Sequence, residues 1–180
     1  MSDLDFIKDK GLRKTLEDSI EYIYALFEQS KDDEQKKLYQ EETYRVIILY
    51  VVSAIEAVLL YFYKVRGEKI EYPEYKFVQT LPPQYGHTDK TGLPVVIAVQ
   101  EKVEKREHQL GIRELITFFR SKNLIQEKTA KDILDMNDVR NTFHFNKPRA
   151  QICDLKRVEK ALQLLVHTIG NAPKALGIKQ

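Results

Sequence analysis

Between Val46 and Tyr63 the chain is apolar at every position except Ser53 and Glu56. A run of that length must either cross a bilayer or form a helix enclosed on all sides by the rest of the fold. Glu56 stands at its middle, where a carboxylate is costly in lipid. Tyrosines are scattered through the run rather than confined to its ends, and the preceding KDDEQKKLYQEE extends it as a wet, amphipathic lead-in. These features predict the central helix of a soluble bundle, with a membrane span as the lesser alternative.

The central helix is expected from about Asp33 to Arg66, stopped by Gly67 after Lys64 and Arg66. At roughly 50 Å it is longer than a small bundle needs, so part of it should project or pack on another chain. Before it, Ser2 and Asp5 have the spacing of a helix-start capping box. Leu12, Leu16, Ile20, Ile23 and Phe27 then mark an amphipathic helix to about Gln29, followed by a short polar link. After it, helical periodicity is lost over residues 68–109. Tyr72–Leu81 and Leu93–Val103 read as strands joined by the turn-rich PPQYGHTDKTG, an insertion laid against the helices. Ile112, Leu115, Ile116 and Phe119 mark a third helix. A fourth starts near Thr129, carries Ile133, Met136, Val139 and Phe143 inward, and ends by Pro148. The last helix has Leu155, Val158, Leu162, Leu165 and Ile169 in three–four rhythm and is expected to stop at Gly170, Asn171 and Pro173. The expected fold class is all-α: one domain over 1–180, a four- to five-helix bundle with a β-hairpin-like insertion between the second and third helices.

A net charge of +2 over 180 residues argues against wholesale electrostatic binding to nucleic acid and leaves room for a small anion site. The single cysteine, Cys153, excludes an intramolecular disulfide and a cysteine-based zinc cage, and fits a reducing compartment. The opening MSDLDFIKDK lacks the apolar core of a signal peptide. A cytoplasmic, non-membrane protein is expected. His87 with Asp89, and His108, lack metal-ligand spacing. No glycine-rich phosphate loop and no nucleophile elbow is present, so neither a metal nor a cofactor is expected. Lys102, Lys105, Arg106 and His108 make the end of the insertion locally basic, but Glu101, Glu104 and Glu107 offset them.

The residues that invite chemistry lie in Met136–Asn–Asp–Val–Arg–Asn–Thr–Phe–His–Phe145. On a continuous helix Asn137, Arg140, Asn141 and His144 share one face, beside a core seam of Met136, Val139 and Phe143. Arg140 has no acid three or four residues away, so no intrahelical salt bridge accounts for it. Glu56, a carboxylate in an apolar run, must be paired, neutral or facing a cavity. Arg140 is one candidate partner and another base a second, and a structural ion pair is the plainer reading. For the polar row the plain reading is a solvated helix face, with His144 favoured as imidazolium near a helix C-terminus.

Two helices with an apolar second member, an insertion, a short helix, and a helix bearing Arg140-Asn141-x-x-His144 together resemble the HEPN superfamily of α-helical bundles. That family is marked by an arginine, a polar residue and a following histidine. Four to six residues commonly separate the arginine and histidine there; three do here, which keeps the pair one helical turn apart. The resemblance implies a metal-independent endoribonuclease acting as a homodimer on RNA, of the toxin or antiviral-defence kind, with a protein partner such as an antitoxin. Its residues would be Arg140, Asn141 and His144, with Asn137 and Glu56 in support. Histidine suits proton transfer to and from the reacting oxygens, and arginine grips phosphate through two parallel hydrogen bonds. Asn141 would orient the imidazole or donate to phosphate, and Asn137 would accept from the guanidinium. The alternatives are a non-catalytic module of the same type, binding RNA, a nucleotide or a protein partner, and a plain helical scaffold.

Overall fold

The computed structural model of the protein describes residues 4–31, 37–80, 88–93, 95–142 and 153–175. Among them are five helices, α1 (Lys10–Gln29), α2 (Lys37–Arg66), α3 (Ile112–Ser121), α4 (Glu127–Asn141) and α5 (Leu155–Ala175). Strands β1 (Glu71–Thr80) and β2 (Val96–Glu104) lie between α2 and α3. The fold is thus mostly helical with one small antiparallel hairpin. The helices, with the segments joining them, form one compact unit, and residues 68–109 form another.

The apolar run is the spine of the helical unit. α2 packs against α1, α3, α4 and α5, which is why it carries apolar side chains around its whole circumference. Ile47, Ile48, Val51, Val52, Ile55 and Val58 are fully enclosed. α2 is long and apolar enough to cross a membrane by length and composition, and 56% of its most apolar stretch is buried inside the fold. It ends where expected: Gly67 takes a left-handed φ of 63° that favours glycine, and its N–H bonds the Lys64 carbonyl at 3.1 Å.

Several boundaries differ from expectation. α1 begins at Lys10, not near Ser2, because Asp9 is the residue that caps it, accepting from the Leu12 N–H at 3.0 Å. The segment before it is held in the core instead. Leu4, Phe6 and Ile7 are buried, and the Tyr61 hydroxyl accepts from the Lys8 N–H at 2.9 Å and donates to the Phe6 carbonyl at 3.2 Å. Asp5 pairs with Arg13 at 3.2 Å, and Ser2 lies outside the described residues. α5 runs on to Ala175 through Gly170 and Pro173. Glycine removes no hydrogen bond, Ile169 is still buried beside it, and the proline falls in the final turn, where a missing N–H forfeits a single bond. Leu155, expected inside, is 42% exposed at the first turn of α5.

In the hairpin unit β1 and β2 pair from Glu71↔Glu104 to Thr80↔Val96, with a bulge at Val78. Glu71 faces Glu104 and Glu74 faces Glu101, like-charge pairs that destabilise a ribbon. Lys102 near Glu71, Lys76 near Glu101 and Lys69 on Glu104 offset them. β2 starts three residues later than the composition predicts. Leu93 is drawn into a turn because the Asp89 carboxylate accepts from the Thr91 N–H, the Thr91 hydroxyl and the Leu93 N–H at 2.8, 2.6 and 3.0 Å. Those bonds, that from the Thr91 hydroxyl foremost, hold the Asp89 carboxyl below its ordinary value. Leu81 and His87 lie outside the described residues.

Cys153 is 1% exposed just ahead of α5. Burial pushes its thiol up, against the opposing pull of Arg45 and Arg157. The unfolded chain therefore releases the thiol proton first as pH rises. This contribution to stability is whole below the unfolded thiol's value of about 8.5 and is lost as pH climbs from there through the folded value. Thermal melts of the parent and Cys153→Ala between pH 7 and 10 should show the parent losing stability more steeply above pH 8.5. Parallel curves would mean that the thiol is not desolvated.

Candidate active site at the end of α4

α4 approaches α2 with its last turn, and two basic side chains meet there. Arg140 donates from Nη1 to Glu56 Oε2 at 2.6 Å, with 30% and 24% of the two side chains exposed. The apolar-run carboxylate and the arginine without an acid on its own helix thus answer each other across the α2–α4 contact. Because Nη1 alone is engaged among the described residues, the other guanidinium N–H groups remain for a second acceptor.

α4 closes earlier than Pro148 requires. Thr142 is its C-cap, with the Thr142 N–H bonding the Val139 carbonyl at 3.0 Å and its hydroxyl donating to the same carbonyl at 2.7 Å. The Thr142 hydroxyl also accepts from Nη1 of Arg45, a buried arginine of α2 whose Nε lies 3.8 Å from Glu42. Of the expected row, Arg140 and Asn141 lie half-buried in the last turn. Phe143 and His144 lie outside the described residues, so the i, i+4 pairing of Arg140 with His144 on a continuous helix does not extend into the described helix, which ends at Asn141.

Asn137 is a correction. It does not stand in an open polar row but in the core seam with Ile133 and Met136, at 5% exposure. Its amide makes no hydrogen bond to the guanidinium, which Glu56 takes instead. α4 meets both α2 and α3, so the buried arc of α4 is wide enough to include position 137. Asp138, two residues before Arg140, is turned toward α3 and pairs with Arg113.

Arg45 and Thr142 were not singled out by sequence reasoning. A signal was present: Arg45 and Glu56 are eleven residues apart, about three turns, and so lie on one side of α2. Among the described residues no group of three His, Cys, Asp or Glu gathers to hold a metal. The two cavities of the helical unit lie elsewhere, lined by neither Arg140 nor Glu56.

Comparison with family models, curated proteins and solved structures finds no match for this chain.

The ion pair at this site has a measurable energy. Partial exposure discounts it below a fully buried pair, and a double-mutant cycle of Glu56→Ala and Arg140→Ala should give a coupling of about 0.5–2 kcal/mol in urea unfolding. Strict additivity of the two substitutions would show that the pair does not form in solution.

Proposed function

We propose that the end of α4 is a phosphate-gripping, RNA-cleaving site of the HEPN type, active as a homodimer. The observation that carries the reading is Arg140. It is anchored by Glu56 at 2.6 Å, yet 30% of its side chain is open and most of its N–H groups are unspent. An arginine steered from one corner and free along the others suits a bidentate grip on phosphate oxygens. In this reading Arg140 neutralises charge building on the phosphorus, while His144, following the helix end, takes the 2′-hydroxyl proton and returns one to the leaving oxygen. Asn141 donates to phosphate or steadies the imidazole. Glu56 acts by positioning Arg140.

Purified protein should cleave single-stranded RNA equally with and without a chelator, and Arg140→Ala should weaken RNA binding while reducing the dependence of log affinity on log salt by about one contact. Cleavage abolished by the chelator would overturn the metal-independent route.

The same pair favours a second reading. Glu56 already neutralises part of the arginine's charge, which suits a module that binds RNA, a nucleotide or a protein partner without cutting. That module would keep the Arg140 dependence of binding and show no cleavage.

A further inference from the structure

We propose that the helical unit holds a second, separate site: a pocket for a neutral, flat heteroaromatic molecule between α2, the α3–α4 corner and α5. The pocket encloses about 330 Å³, the space of about eleven waters and at the lower end of small-molecule sites. Its inner wall is apolar, built from Leu59 and Phe62 of α2, Phe119 of α3 and Ile133 of α4. Two aromatic rings in so small a space favour a planar guest.

The outer wall arises from how α3 ends. Asn123 adopts φ 57°, and the N–H groups of Asn123 and Leu124 return to the carbonyls of Arg120 and Phe119, each at 2.9 Å. This is the Schellman closure, which brings the residue after the left-handed position against the start of the last turn. Leu124 and Phe119 accordingly both line the pocket. The same reversal sets Asn123 and then Gln126 and Thr129 at its edge, opposite His167 of α5. Gln126 occupies the N-cap position of α4 but gives that helix no side-chain bond, so its amide is available to a guest.

Charge decides the class of ligand. None of the twelve lining residues is Asp, Glu, Lys or Arg, although those types make up 31% of the chain. The adjoining groove between α4 and α5 is the opposite, with Asp132, Asp135, Lys156 and Lys160 among its walls. An ionised guest in the pocket would lose water and gain no counter-charge. A neutral ring bearing a carboxamide or ring N–H would bury its faces against Phe62 and Phe119 and turn its polar edge to the amides.

The chain has no tryptophan, so indole fluorescence can report binding directly. Indole-3-carboxamide, titrated into the intact protein, should bind in the millimolar range expected of a fragment this size. It should also shift the amide resonances of Asn123, Gln126 and Thr129. Its charged twin, indole-3-carboxylate, should bind roughly tenfold more weakly or worse. Thr129→Phe, which fills the mouth, should abolish binding. Gln126→Ala, at an exposed position, should weaken it roughly two- to tenfold and provides the test if the larger residue disturbs the fold. The carboxylate binding as well as the amide would overturn the neutral class. Unchanged binding in Gln126→Ala, or no binding of either probe at millimolar concentration, would overturn the site. None of these outcomes bears on Arg140, which lies outside the pocket.

Discussion

His144→Ala should slow RNA cleavage by roughly 10²–10⁴-fold, the usual cost of losing a general acid–base group. The loss should fall mainly on kcat, because the imidazole exchanges protons in the transition state while Arg140 supplies ground-state grip on the phosphate. Arg140→Lys is the informative companion. It keeps the positive charge but not the planar, bidentate donor set, so it should retain binding better than it retains turnover. Equal cleavage by His144→Ala and the parent would remove the histidine from the chemistry. Phosphate-dependent binding without cleavage in the parent would leave the non-catalytic reading standing.

Ile55→Ala should lower stability by about 2–5 kcal/mol, a large part of the margin of a domain this size. Ile55 is fully enclosed at the middle of α2, and α2 is the helix that touches all four others. A void there cannot be filled by one neighbour's movement without disturbing another. Urea unfolding of the purified variant measures the loss. Tyr39→Ala, at a residue 60% exposed on the same helix, should stay within about 0.5 kcal/mol. A similar small change at Ile55 would mean that α2 is not the spine.

The residues adjoining the ion pair show what was legible beforehand. Glu56 and Arg140 each stood out as a charge without a local partner, and Glu56 was readable as a carboxylate needing a base. Their meeting at 2.6 Å joins positions 84 apart in sequence. Asn137 was misplaced because helical periodicity assigns a face but not the width of the buried arc, which depends on how many neighbours α4 meets. The α1 start was misplaced because Asp9 and the Ser2–Asp5 pair both offer caps. The choice fell to the burial of Leu4, Phe6 and Ile7 and to the Tyr61 hydroxyl that pins them.

By itself, the sequence determined that this chain is mainly helical, that Val46–Tyr63 is its enclosed member, and that residues 68–109 leave the helical pattern. Those properties follow from local periodicity and from the free energy of burying apolar surface, both of which act along the chain. Only the tertiary structure decided which charges pair, where Arg45 and Thr142 join the end of α4, and that a neutral pocket forms beside a charged groove. Those depend on distances between side chains far apart in sequence, which no period or composition encodes.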